Sequence, residues 1–535
     1  MSKFNGTTKT SIPSTTNLAG GVSYERVIKK EIASVVLNSM LKGDSFYEKE
    51  KDRIKRIETL IGSATEDELA FVAKAMIYTR AEGKLRSITH LLAVLLAEKV
   101  KGQPFLKSSF MKTFIRPDDM TEVLSLWNIR NPGKMIPNSL RRAFKASLET
   151  KFDEYQFKKY AGERLKTKLR DVVKLSHPSP KNFVDKDVFK KIIESRLDNI
   201  ETAQTINAGK TGEERVDAYI EQIKSGKMGY MAAVKNIRTL LENGISIEDL
   251  NIWCDFITDK KKVERSMMLP FRFVDAWLAV KDLVEKPKTL GDVFNEMQPN
   301  YGLKSQLEKV LGIEEEVVEK QTEKLSSKLP LVKKALEKAF AISAGNTSIV
   351  DDGEKVAILL DESGSMGGHP GSPFHIGKIL STAIKVGMPF EDCKFYTWAN
   401  QCVERKVEGS PFEFISKLNS RGGGTDVSAP LQLLLQEEVF VDSIVILTDL
   451  QMYSGRDNIG DTIKRYINQY RGKINPNVKV LFWNLEGLPC GMPIDLEKTP
   501  EIFEIAGYSD SMLQIIPKLW KDKDFLIKEI EAIEI

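Results

Sequence analysis

Asp361, Ser363 and Ser365 stand two residues apart in Asp361-Glu362-Ser363-Gly364-Ser365, directly after the apolar run 356–360. One carboxylate and two hydroxyls at that spacing gather hard oxygen donors on a single loop. Such donors suit Mg²⁺ and other divalent cations. Two further segments extend the set. Gly422-Gly423-Gly424-Thr425-Asp426 carries the Thr425 hydroxyl on a glycine-rich loop. Val445-Ile446-Leu447-Thr448-Asp449 ends a second apolar run in the Asp449 carboxylate. Two carboxylates balance a divalent charge, three hydroxyls add to the oxygen shell, and one position is left for water or a partner's acidic residue. An aspartate after a strand also commonly caps the next helix, so the residues alone leave both roles open.

The elements that must position these residues follow from a change of period near residue 350. Short apolar runs at 356–360, 393–398, 443–447 and 478–483 alternate with helical patterns at 375–386, 411–418, 429–438, 459–471 and 511–521. Alternating strand and helix predicts a doubly wound, Rossmann-like parallel sheet. Ligands of such sheets bind beyond the carboxyl ends of the strands, where Asp361 and Asp449 fall. In that setting, Asp361, Ser363, Ser365, Thr425 and Asp449 resemble the metal-ion-dependent adhesion site of von Willebrand factor A domains. The resemblance implies Mg²⁺ or another divalent cation as cofactor.

Nothing beside this set reads as catalytic, and the expectation is a protein that is not an enzyme. His369 and His375 follow the first loop, but no third group orients either one. No Ser/His/Asp set, phosphate-binding loop or zinc spacing is visible, and no carboxylate cluster supports an RNA-processing nuclease. The four cysteines, Cys254, Cys393, Cys402 and Cys490, show no CxxC spacing and imply no disulfide framework. The apolar stretch 91–97 is too short to span a bilayer, and the Ser/Thr/Gly-rich start has no secretory core. A cytoplasmic protein without membrane contact is expected.

Before residue 350 the pattern is helical. Leu69, Val72, Ala73 and Met76 share one helix face, and similar periods recur at 25–41, 86–99, 138–149, 186–197, 231–242, 247–257 and 270–284. Glycines and prolines punctuate them, which predicts stacked helical pairs in a HEAT-like solenoid. Residues 1–24 read as a mobile or wrapping arm, and 345–354 as a linker. The expected division is an arm at 1–24, a helical module at 25–350 and the α/β domain at 351–535.

Charge divides the same way. The net charge of +4 conceals +13 over residues 1–350 and −9 over 351–535, with +10 in 101–200 alone. The densest basic run is 158–170, continued by Asp171-Val172-Val173-Lys174-Leu175-Ser176-His177-Pro178 and preceded by Arg141-Arg142-Ala143-Phe144-Lys145. Lys235-Asn236-Ile237-Arg238 and Lys260-Lys261-Lys262 lie downstream. Clustered cations beside polar and ring side chains can hold phosphates and bases, although a charge run is also the ordinary content of a solvated helix face.

Arg86-Ser87-Ile88-Thr89-His90, Arg141-Arg142-Ala143, the 169–178 segment with its Leu-Ser-His ending, and Met231-Ala232-Ala233-Val234-Lys235-Asn236-Ile237-Arg238 resemble the TROVE module of the Ro autoantigen family and its bacterial relatives. The order of parts, a TROVE module before an A domain, is similar too. The resemblance implies a ring of HEAT-like repeats closed by the A domain. It implies binding of small structured Y-like RNA and of single-stranded 3′ ends of misfolded RNAs, in RNA quality control alongside a 3′-to-5′ exoribonuclease. Lys174 and His177 fall in the segment that contacts Y RNA in that family. Arg141, Arg142 and Lys145 are further expected contacts, and Arg170 lies one helical turn from Lys174. A ring closed by one chain would favour a monomer. The alternative is a metal-dependent protein-binding adaptor in which RNA binding is secondary.

Overall fold

The computed structural model describes residues 14–24, 26–36, 49–160, 167–183, 186–197, 209–285, 304–345, 349–406, 409–452, 458–488, 491–507 and 512–535, with side chains of the 304–345 helix from 325 onward. Residues 1–13 of the expected arm, 161–166 of the basic run, 346–348 of the expected linker and Cys490 lie outside them.

The first helical group comprises α1 (Ile28–Val36), α2 (Glu50–Ser63), α3 (Glu66–Ala81), α4 (Ser87–Lys99), α5 (Phe105–Thr113), α6 (Pro117–Arg130), α7 (Asn138–Thr150), α8 (Glu154–Lys159), α9 (Leu169–Ser176) and α10 (Lys186–Glu194). Local chemistry sets the ends. Thr65 and Glu68 form a reciprocal capping box at the start of α3. Helix α9 stops at His177, whose φ of 48° is left-handed. The packing has two layers: α1, α3, α5 and α7 stack in sequence, while α2, α4, α6 and α9 form the other layer. This is the HEAT-like arrangement that the periodicity predicted.

The second group runs through α11 (Gly212–Lys224), α12 (Tyr230–Lys235), α13 (Ile237–Glu242), α14 (Ile247–Thr258), α15 (Lys260–Ser266), α16 (Pro270–Glu285) and the long α17 (Lys304–Gly345). The single helix expected at 231–242 is divided at Asn236, whose side chain bonds back to the Ala232 carbonyl at 2.8 Å.

The α/β domain holds β3 (Val356–Asp361), α18 (Pro373–Val386), β4 (Cys393–Trp398), β5 (Cys402–Glu404), α19 (Pro411–Lys417), α20 (Ser428–Gln436), β6 (Ser443–Thr448), α21 (Ile459–Lys473), β7 (Lys479–Asn484), β8 (Ile502–Ala506), α22 (Met512–Leu519) and α23 (Phe525–Glu531). Its sheet order is β5-β4-β3-β6-β7-β8, parallel except for the β5 edge. The chain leaves β3 for β4 on one side and later returns to β6 on the other. The topological switch point therefore lies at the ends of β3 and its neighbours.

Both helical groups pack on this domain. Buried side chains of the first group form one core with Phe503, Ile505, Leu513 and Trp520, and α1 and α3 touch α23. The second group shares its core with Ile379, Ala383, Phe412 and Ile415. There Phe412 stacks on Trp277 at 6.3 Å and meets Phe340 edge-on at 5.8 Å. The α/β domain thus joins the two ends of the helical run and closes a ring.

Residues 14–24 form a small antiparallel hairpin, β1 (Ser14–Thr16) and β2 (Val22–Tyr24). It lies against the α/β domain, with Tyr24 N–H donating to the Met492 carbonyl at 3.0 Å. The chain after α17 is likewise tied down: Ile349 is buried and its carbonyl accepts from Trp520 Nε1 at 2.8 Å.

Candidate metal centre and nucleic-acid interface

Parallel register sets Leu360 beside Leu447, so Asp361 and the Thr448-Asp449 pair emerge together at the carboxyl edge of the sheet. Asp361 and Asp449 are both fully buried. Asp361 Oδ1 accepts from the Ser363 amide at 2.8 Å, and Oδ2 accepts from Thr448 Oγ1 at 2.7 Å. Ser363 Oγ and Ser365 Oγ lie 3.3 Å apart, and the Ser365 hydroxyl offsets part of the effect of burial on Asp449. Asp449 Oδ1 accepts from the Gln451 amide at 3.0 Å, while its Oδ2 has no hydrogen-bond partner among the described residues.

Burial, then the neighbouring Asp449 charge, pushes the Asp361 carboxyl up to about 7. Burial raises Asp449 as well. Neither carboxylate forms an ion pair among the described residues. Two buried acids with an orphaned oxygen and converging hydroxyls fit a divalent cation, which would supply the missing charge. Among the described residues no three His, Cys, Asp or Glu side chains are arranged so that they could hold a metal ion, so the donor set depends on its hydroxyls.

The structure brings Asp361, Ser363, Ser365 and Asp449 together. Thr425 is half-buried on the adjacent glycine loop. That loop docks on the first through Gly364 N–H to Gly423 O at 3.1 Å. Gly422 and Gly423 have φ of 69° and 110°, conformations that glycine adopts freely. Sequence reasoning passed over Glu362, which is fully buried below the loop and ion-paired with Arg421. Its alternation with the serines carried no signal of that partner. His375 heads α18, where burial drives its imidazole down to about 4.

On the helical side, the buried face of α7 is Leu140, Ala143, Phe144, Ser147 and Leu148, which leaves Arg141 and Arg142 exposed and Lys145 half-exposed. On α9, Leu169, Val172, Val173 and Ser176 are buried, and Arg170, Lys174 and His177 face out. The two helices pack together, and Glu149 near the end of α7 accepts from the Ser179 amide at 2.6 Å just past His177. None of the six candidate residues pairs with an acid among the described residues. Arg170 also borders a cleft of about 360 Å³ with Lys158 and Lys168.

In other basic segments several cations are paired within their own helix. Lys260 and Lys262 pair with Glu264 and Asp259 at 3.8 and 3.4 Å, and Arg238 pairs with Glu242 at 2.9 Å. In the 86–90 segment, His90 sits between Asp119 at 3.0 Å and Glu122 at 2.8 Å, and Arg86 joins the same cluster. These side chains hold α4 to α6. Sequence reasoning missed a groove of about 1360 Å³ along the loops after α2, α4 and α6, lined by Lys101, Lys107, Lys134 and Arg142. Its cations come from separate repeats, so no local run announces them.

A helical-repeat ring closed by a Rossmann-like α/β domain is the class these elements define. The TROVE domain model matches residues 32–222 and 218–349, and the chain belongs to the TROVE-domain family, a family of RNA-binding proteins. The crystal structure of the Deinococcus radiodurans RO (RSR) protein is similar in fold, with a TM-score of 0.59 over 94% of this chain and 100% of that chain, at 15% identity. No curated protein matches the chain. No helix among the described residues is long and apolar enough to cross a membrane.

Proposed function

We propose that this protein is a non-enzymatic ring that binds small structured Y-like RNA and single-stranded RNA 3′ ends in RNA quality control. It would act in the cytoplasm beside a 3′-to-5′ exoribonuclease. The observation that carries the reading is the uncompensated cationic face of α7 and α9. Arg141, Arg142, Lys145, Arg170 and Lys174 project from two packed helices without acidic partners among the described residues, and His177 ends the second. Unpaired cations gain from phosphate contact through counterion release, with little dependence on base identity. His177 in its left-handed cap adds a ring at the edge of that face.

Fluorescence anisotropy with a Y-like RNA and a single-stranded tail tests the reading. Affinity should fall steeply with salt. Substitution of Arg170, Lys174 and His177 by Ala should weaken structured-RNA binding at least tenfold, and unchanged affinity would overturn it.

The orphaned Asp449 oxygen supports a second role in the α/β domain. Asp361, Ser363, Ser365 and Asp449, with Thr425 from the glycine loop, would hold Mg²⁺ or a similar cation. A bound cation would offer an open position for an acidic side chain of a protein partner. The nuclease partner is one protein such a site could recruit. Partner recovery that ignores both chelator and Asp449→Ala would remove this role.

A further inference from the structure

The segment that follows Asp449 is held in place by the far end of the chain. Asn17, in the turn between β1 and β2, donates from Nδ2 to the Met452 carbonyl at 2.8 Å and to the Leu450 carbonyl at 3.3 Å. Leu18 N–H donates to Gln451 Oε1 at 2.9 Å. Gln451 in turn donates from its amide to Asp449 Oδ1 at 3.0 Å and from Nε2 to the Asp449 carbonyl at 3.2 Å. Leu450, between them, has a φ of 59°, which costs a side-chain-bearing residue energy unless its surroundings hold it. Asn17 Oδ1 accepts from the Gly21 amide at 2.7 Å and closes the hairpin turn. Gly21 lies so close to the Met452 carbonyl that a Cβ would collide with it.

The hairpin leads, through Arg26 and its pairs with Glu504 at 2.6 Å and Glu31 at 2.9 Å, into α1 of the helical module. The loop bearing one of the two carboxylates is therefore clamped by a strap that belongs to the ring seam.

We propose that Asn17 is a positioning residue for the metal centre, so that cation binding at Asp361 and Asp449 and docking of the 14–24 hairpin stabilise each other. The proposal rests on the metal reading above. Linkage requires reciprocity: if the docked strap favours the cation, the cation favours the docked strap by the same factor. A coupling of about tenfold is the expected size.

Two measurements on the full-length protein test it. Mn²⁺ titration followed by electron paramagnetic resonance gives the Kd of wild type, Asn17→Asp and Gly21→Ala. Asn17→Asp keeps the acceptor for the Gly21 amide and loses the donor to Leu450 and Met452, while Gly21→Ala removes no polar group. Both should raise the Kd about tenfold. Hydrogen exchange of wild type should slow about tenfold over 14–24 when Mg²⁺ is saturating, a readout that a purely structural turn would not move. Wild type that binds no Mn²⁺ overturns the metal reading and this proposal with it. Wild type that binds, with variant Kd values within twofold and strap exchange indifferent to Mg²⁺, overturns the coupling alone.

Discussion

Arg421 and Glu362 form an ion pair directly beneath the glycine loop that carries Thr425. Glu362 is fully buried while the Arg421 side chain is 39% exposed, and the next cation, Arg405, stands 3.7 Å from the carboxylate. Ser420 Oγ adds a bond to the Glu362 carbonyl at 2.8 Å. Removing Arg421 would strand a buried charge. Arg421→Ala should therefore cost about 2–4 kcal/mol in denaturant unfolding, below the usual upper range because Arg421 itself is partly solvated. Glu362→Gln should cost less, about 1–2 kcal/mol, since no charge is left behind.

His90 and Asp119 predict a pH dependence within the helical module. Burial opposes both charges, but hydrogen bonds between them, with Glu122 and Arg80 adding their own, raise His90 and lower Asp119. The raised His90 stabilises the fold fully below its unfolded pKa, about 6.5, and that gain is lost as pH rises through the folded value. The lowered Asp119 stabilises above its unfolded pKa, about 3.9, and is lost as pH falls through the folded value. His90→Gln should thus destabilise most near pH 5.5 and progressively less toward pH 9, read as the difference in unfolding midpoint. Asp119→Ala should cost about 3–5 kcal/mol at neutral pH, because Arg80 loses its buried partner.

Cation addition should stabilise the α/β domain. If Asp361 and Asp449 bind Mg²⁺ only in the folded state, a concentration 100-fold above Kd adds about 2.7 kcal/mol. Differential scanning fluorimetry with and without chelator reads this. Asp449→Ala should abolish the response, and by relieving the buried acid pair it should change the metal-free midpoint little.

For RNA, each phosphate contact contributes about 0.7 to the slope of log K against log salt for a single strand and about 0.9 for a duplex. Lys174→Ala should lower the slope by about that amount and weaken binding uniformly across sequences. Lys101→Ala and Lys107→Ala measure whether the groove after α4 lies on the same RNA path as Arg142, since their slopes would fall only if it does.

The sheet half was largely legible because its signals are local. An apolar run of five or six residues ending in Asp marks a buried strand and its carboxyl tip, as at Asp361 and Asp449. The β4 run was placed to the residue at both ends, and β7 within one residue. Edge strand β5 has three residues and no face fully buried, so it left no period to read. Strand β8 does not alternate, since Ile502 and Phe503 are adjacent apolar residues, and its short length hid it among helical patterns. What linear reading could not supply is pairing over long separation. Arg421 and Glu362 look like ordinary surface charges, and the Asn17 turn looks like loose chain until Leu450 and Met452 come into view. Among the basic segments, spacing alone could not divide Arg170 and Lys174, which stay unpaired, from Lys260 and Lys262, which acidic neighbours offset.

A stack of helical pairs ordinarily has two terminal faces, each of which needs polar capping or invites another copy to add on. Here one α/β unit covers the α1 face and the α17 face together. The domain acts as a keystone: curvature accumulated repeat by repeat is absorbed at one place. Loosening either of its two contacts would uncover a terminal helical face that has no other cap among the described residues.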